Sequence, residues 1–153
     1  MLFRSPPPEE FPVKEAAPSG DIRGLKLLLA EDNELNAEIA ETLLTDAGAH
    51  VTIVKNGKKA VDCFEAASPG TFDAILMDVM MPVMDGLAAT RAIRAIPRAD
   101  ARQIPILAMT ANAFEEDARQ CLAAGMNVHL AKPLQMDKVL AALMECCGKK
   151  KDL

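Results

Sequence analysis

Five short apolar runs, separated by stretches with helical spacing, constrain this chain more than any other feature. Leu25–Ala30 is apolar except for Lys26, the pattern of a strand buried on both faces. His50–Val54, Ala74–Met77, Ile106–Met109 and Val128–Ala131 repeat that kind of run, and Pro105 is tolerable at the opening of the fourth. Between the runs the period changes. Asn33 is placed to cap a helix over Leu35–Ala47, with Leu35, Ile39 and Leu43 at i, i+4 and i+8 and Gly48 as its stop. Asn56-Gly57 leads into a helix carrying Ala60, Val61 and Phe64, which Ser68-Pro69-Gly70 ends. A loop containing Met81-Pro82 and Asp85-Gly86 opens a third helix that Pro97 stops. The fourth covers Phe114–Ala124, with Gly125 behind it. The fifth runs from about Gln135 to Cys146, with the Lys149–Lys151 cluster suited to the negative end of its dipole.

Strand followed by helix, five times over, predicts parallel strands joined by right-handed crossovers, because parallel neighbours cannot be linked by a tight hairpin. The expected fold is a doubly wound α/β domain: a five-stranded parallel sheet in the order 2-1-3-4-5 with five helices on its two faces. This order places the crevice at the carboxyl ends of the first and third strands.

Composition narrows what such a crevice can hold. Five Phe but no Trp or Tyr leave no platform for stacking bases, flavins or sugars. Seventeen basic against twenty-two acidic residues give a net charge of −5, which argues against nucleic acid and against an anionic membrane surface. Neither a bilayer-spanning run nor a signal-peptide core is evident, so the expected location is cytoplasmic. Cys63, Cys121, Cys146 and Cys147 form no Cys-x-x-Cys pair and read as reduced thiols. Five of the ten prolines fall in the first twenty residues, so 1–23 reads as a disordered or extended linker; the folded domain then covers 24–148 and a basic tail 149–153.

The predicted strand ends carry chemistry. Strand one ends in Glu31-Asp32, strand three in Asp78, strand four in Thr110 and strand five in Lys132-Pro133. Two like charges ~5 Å apart at an effective dielectric of ~20 repel by roughly 3 kcal/mol, so three gathered carboxylates would raise one another's pKa or require a cation. Magnesium suits them, being hard and satisfied by one or two carboxylates plus water and phosphate oxygens. A nucleophilic Asp, two further acids, a hydroxyl donor and an ammonium together describe phosphoryl transfer to a carboxylate. Each residue alone has a plainer reading: Glu31 or Asp32 as a helix cap, Asp78 as a loop acid, Thr110 as a strand-end hydroxyl, Lys132 as a solvated surface lysine. Only their joint placement favours a site.

Four stretches, Leu27–Asn33, Ile75–Gly86, Leu107–Ala111 and Gly125–Leu134, resemble in order the motifs of receiver domains of two-component response regulators, most closely those of hybrid sensor histidine kinases. The resemblance covers about Leu25 to Cys147 and implies a flavodoxin-like fold. It implies that Asp78 accepts a phosphoryl group from a phosphohistidine, and that Asp32, Glu31 (through water), Asp78 and the Met80 backbone carbonyl hold magnesium or manganese. It implies that Thr110 and Lys132 contact the phosphoryl oxygens. The implied partners are a histidine kinase or a histidine phosphotransfer domain, the chain itself being a monomer or weak dimer that turns over no metabolite.

Departures from the family pattern are also visible. The switch position three residues before the lysine, commonly Tyr or Phe, is His129, which either moves with Thr110 or is a half-exposed strand histidine without a role. Met80 cannot orient a water by its side chain, whereas Asn112 can; the phosphoryl lifetime is expected to be neither extreme. The Met77, Met80, Met81 and Met84 group reads as loop and core packing, since soft sulfur ligands do not match a hard-metal site. With only Gly148–Leu153 after the last helix, the expectation is a receiver from a hybrid kinase or a stand-alone one. A flavodoxin-like flavin protein lacks its aromatic walls here. An aspartate-dependent phosphatase would want an acid where Met80 stands. A degenerate receiver serving only as a scaffold disagrees with the full set of competent residues.

Overall fold

The structure, a computed structural model, describes residues 24–110, 115–131 and 136–148. The expected linker and basic tail, together with Asn112, Phe114, Lys132, Pro133 and Gln135, lie outside the described residues. Five strands, β1 (Lys26–Ala30), β2 (His50–Val54), β3 (Ala74–Asp78), β4 (Ile106–Thr110) and β5 (Val128–Ala131), form one sheet. All pairings are parallel, in the spatial order β2-β1-β3-β4-β5, as the alternating pattern predicts.

Six α-helices among the described residues accompany them: α1 (Glu34–Asp46), α2 (Gly57–Ala66), α3 (Gly86–Arg94), α4 (Ala99–Gln103), α5 (Glu115–Ala124) and α6 (Met136–Leu143). The period-two alternation of the strands divides the core. Leu27 and Leu29 of β1 pack with Ala40 and Leu44 of α1 and Val139 and Leu143 of α6. Leu28 and Ala30 turn the other way, onto Phe64 of α2, Ile93 of α3, Ala101 of α4 and Cys121 of α5. Both layers are needed because β1, β3 and β4 are buried on both sides, and each fully buried Leu or Ile contributes about 1.5–3 kcal/mol.

Three expectations are corrected. The described residues hold six α-helices where five were expected. Pro97 does end the preceding helix, but a five-residue helix follows, and it has no side-chain cap to announce it. Arg98 anchors it instead. The guanidinium grips both carboxylate oxygens of Asp100 at 3.0 Å, donates to the carbonyl of Ala67 at 2.9 Å, and lies 4.9 Å above the Phe64 ring. Partial burial pushes the Asp100 carboxyl up, but the Arg98 fork and the Gly70 N–H more than offset it and hold it below the usual carboxylate range.

The second correction concerns the face of α1. Leu35, Ile39 and Leu43 do not form its core stripe: Ala37, Ala40 and Leu44 are buried, while Leu35 and Ile39 are 63% and 51% exposed. Both sets obey helical spacing, and it is Ala40 and Leu44 that pack on Leu27 and Leu29 of the layer beneath. Third, the last helix does not continue regularly to Cys146 but widens into a π-helical segment, Met144–Gly148. Caps and stops agree with expectation elsewhere. Asn33 and Asn56 accept from the N–H groups of Asn36 and Lys59, and Gly48 follows α1 at φ +100°.

One buried polar atom stands out. Thr90 Oγ1 in α3 is fully buried and has no hydrogen-bond partner among the described residues. An orphaned hydroxyl of this kind costs about 1–3 kcal/mol, and valine has nearly the same shape. Thr90→Val is therefore expected to raise the urea midpoint without changing the denaturant slope; a lowered midpoint would show that the hydroxyl is satisfied.

Candidate functional site

The strand register assembles the site. Ala30 pairs with Met77, so Glu31 and Asp78, the next residues in each strand direction, leave neighbouring strands side by side at their carboxyl ends. The chain then diverges, β1 toward α1 and β3 toward α3, opening the crevice between them. Glu31, Asp32 and Asp78 each supply a carboxylate oxygen, and these atoms all lie within 4.8 Å of one another. Glu31 and Asp78 are buried, each 3% exposed, and Asp32 faces solvent.

Neither buried acid caps a helix. Asn33 performs that task, and its own N–H donates to Glu31 Oε2 at 3.2 Å. The Met80 N–H donates to Asp78 Oδ1 at 3.2 Å, fixing one oxygen of that carboxylate, while the Met80 side chain is 74% exposed. Three hard oxygen donors so close together match the oxygen-rich, water-completed coordination of magnesium.

Thr110 ends β4, the strand beside Asp78, with Asp78 registered against Met109. It is 4% exposed, and its Oγ1 lies 3.0 Å from Nε2 of His129 on β5. Registers Ala108↔His129 and Thr110↔Ala131 put these two side chains diagonally across one face of the sheet. The structure thus brings together Glu31, Asp32 and Asp78, and separately couples Thr110 to His129. Lys132 follows β5 directly but lies outside the described residues.

The loop after Asp78 is held by backbone. Val79 N–H donates to Met109 O at 3.1 Å, Gly86 N–H to Val79 O at 2.9 Å, and Gly57 N–H to Met84 O at 3.0 Å. Two glycines make this folding-back possible. A Cβ on Gly86 would overlap the Asp78 carbonyl oxygen and stand 2.9 Å from Val79 Cα; one on Gly57 would overlap the Met84 carbonyl oxygen. Sequence reasoning assigned Asp85-Gly86 and Asn56-Gly57 to turns and missed this steric role. The dipeptides were the only available signal.

At the loop's outer edge Val83 is 82% exposed and adopts φ +70°, a region that β-branched residues avoid. The left-handed region costs an L-residue about 1–2 kcal/mol. Val83→Gly is expected to raise the midpoint of thermal unfolding, though unfolded-state entropy offsets part of the gain; an unchanged or lower midpoint would remove the strain argument.

Comparison with known proteins agrees with this geometry. Residues 27–144 match the family described as the response regulator receiver domain. Hybrid signal transduction histidine kinase I of Dictyostelium discoideum is 41% identical over 111 residues, which span 71% of this chain and 6% of that protein. Sensor protein GacS of Pseudomonas syringae pv. syringae is 39% identical over 128 residues, 82% of this chain and 14% of that protein. The chain therefore spans a small fraction of the curated relatives it matches. Among solved structures, the receiver domain of sensor histidine kinase PA1611 from Pseudomonas aeruginosa PAO1, crystallised with magnesium coordinated in its active-site cleft, is 43% identical with a TM-score of 0.73; the match covers 82% of this chain and 98% of that one. The Saccharomyces cerevisiae receiver domain of Ssk1, solved with the histidine phosphotransfer protein Ypd1, is 26% identical with a TM-score of 0.74, covering 84% and 92%. With the sheet order, the acid cluster and these matches in agreement, the chain belongs to the response regulator receiver domain family.

Proposed function

We propose that this domain takes a phosphoryl group from a phosphohistidine onto Asp78 and passes the signal on by a change of conformation, within a hybrid sensor histidine kinase. The observation that carries the reading is the convergence of Glu31, Asp32 and Asp78 at the carboxyl ends of β1 and β3. In the step, a new bond forms between a carboxylate oxygen of Asp78 and phosphorus while the bond from phosphorus to the donor imidazole nitrogen breaks. The products are an acyl phosphate and a histidine, which becomes neutral by taking one proton from solvent on the ring as the phosphoryl group leaves.

Asp78 is suited to this role because the Met80 N–H orients its carboxylate at the carboxyl end of β3. Glu31, Asp32, Asp78 and the Met80 carbonyl would hold magnesium, which when bound neutralises charge on the transferring group. Thr110 donates its hydroxyl to one phosphoryl oxygen and Lys132 pairs with another.

A macromolecular donor fits the surroundings. Leu35 and Ile39, one turn apart on α1 just after the acidic pair, are exposed apolar groups, as are Met80 and Val83 on the loop after Asp78. These surfaces suit a histidine kinase or a histidine phosphotransfer domain. Among the described residues no helix is long and apolar enough to cross a membrane.

Incubation with acetyl phosphate, with and without magnesium, followed by intact-mass measurement tests the reading. A single phosphoryl adduct that requires the metal supports it. Bound flavin or sustained phosphate release would overturn it in favour of an enzyme of the same architecture.

A further inference from the structure

Two local demands meet at the start of α2. Position 56 caps the helix, and the Asn56 Oδ1 accepts from the Lys59 N–H at 2.8 Å. Position 57 has no room for a side chain, because a Cβ there would overlap the Met84 carbonyl oxygen and stand 3.0 Å from Ala89 Cβ. Together they produce Asn-Gly, and Asn56 is the one asparagine of this chain that glycine follows. An asparagine side chain is open to attack by the main-chain nitrogen of the next residue, and glycine alone brings no Cβ to hinder the approach.

We infer that Asn56-Gly57 is a latent deamidation site, kept shut by the loop that follows Asp78. The reacting nitrogen is held by that loop: the Gly57 N–H donates to the Met84 carbonyl at 3.0 Å, and Gly57 is buried. Asn56 is extended, at φ −159° and ψ 173°, and its side chain is tied to the helix by the cap bond. Ring closure requires both bonds to open. Hydroxide then takes the Gly57 amide proton, and the nitrogen forms a bond to Asn56 Cγ. The bond from Cγ to the side-chain nitrogen breaks, and ammonia leaves with a proton from water. Water opens the resulting succinimide at either carbonyl, leaving aspartate or isoaspartate and one added negative charge. Aspartate still caps the helix. Isoaspartate adds a carbon to the main chain before Gly57, which cannot then keep both its place under Met84 and its entry into α2. The reaction thus records openings of the loop and, once isoaspartate forms, removes the contact that closed it. None of these steps needs a phosphoryl group on Asp78.

The test incubates the full chain at mildly alkaline pH in native buffer and, in parallel, in urea above the unfolding midpoint. Proteolytic peptides are weighed, since deamidation raises the mass of the peptide holding Asn56 whereas isomerisation at Asp85-Gly86 changes no mass. Deamidation is expected to be at least about tenfold slower in native buffer, the factor that a local opening of about 1.4 kcal/mol imposes. Asp85→Ala removes the cap of α3 beside Met84, whose Oδ1 accepts from the Ala88 N–H at 2.8 Å. It should speed native deamidation several-fold. Asn33→Ala, which removes the corresponding cap of α1, should leave the rate unchanged. Equal native and urea rates in the wild type, a comparison that needs no variant to fold, overturn the inference. So does a native rate unmoved by Asp85→Ala, or one raised equally by both variants, which would place the protection in global stability rather than in the loop.

Discussion

Asp78→Asn is expected to abolish the phosphoryl adduct completely while leaving the chain folded. The substitution keeps the shape of the side chain and an oxygen able to accept from the Met80 N–H. It removes the negative charge and the nucleophilic oxygen together, and a carboxamide does not attack phosphorus under conditions where a carboxylate does. It also removes one of the three oxygen donors that lie within 4.8 Å of one another. A ligand that binds only the folded state stabilises it, by about 2.7 kcal/mol at a hundredfold excess over its Kd. Thermal unfolding of the wild type should therefore shift upward with magnesium, and the shift should shrink in the variant. Intact mass after acetyl phosphate and melting curves with and without metal measure both effects. An adduct that persists in Asp78→Asn would place the acceptor elsewhere and sink the proposed site.

Gly86→Ala is expected to be the most damaging single change outside the acids. Its added methyl group would overlap the Asp78 carbonyl oxygen, and both nearest obstacles, that oxygen and Val79 Cα, are backbone that cannot rotate away. Overpacking against rigid surroundings costs about 1–3 kcal/mol and occasionally more, and this contact belongs at the upper end. The loss should appear as a lower urea midpoint and as slower adduct formation, because the strained atoms belong to the residue proposed as the acceptor. A midpoint and adduct rate equal to the wild type would show that the loop is not held against β3.

What the chain betrayed in one dimension and what it hid follow different physics. The strands were legible because burial on both faces demands uninterrupted apolar runs such as Leu27–Ala30, and the acids stood out because Glu31, Asp32 and Asp78 close such runs. Other features depend on distances between segments that no local pattern encodes. The buried face of α1 was ambiguous because two sets of residues share helical spacing, and the layer beneath, not the helix, chose Ala37, Ala40 and Leu44. Helix α4 was hidden because a five-residue helix held by Arg98 reaching back to α2 has neither period nor cap. The overlap at Gly86 and the bond between Thr110 and His129 arise from chain reversal and from sheet register respectively. Sequence placed Thr110 and His129 in one switch, but only the pairing of β4 with β5 supplies the atoms that meet.

The order of the strands has a consequence for the protein's birth. β1 has β3 as its inner neighbour, yet β3 is translated only after β2 and α2. Contacts of such long sequence separation form late, since loop closure must precede their reward. A nascent chain that has delivered Glu31 and Asp32 from the ribosome still lacks the third acid and everything that positions it. On the proposed reading, such a chain has no phosphoryl acceptor until the strand that carries Asp78 has followed.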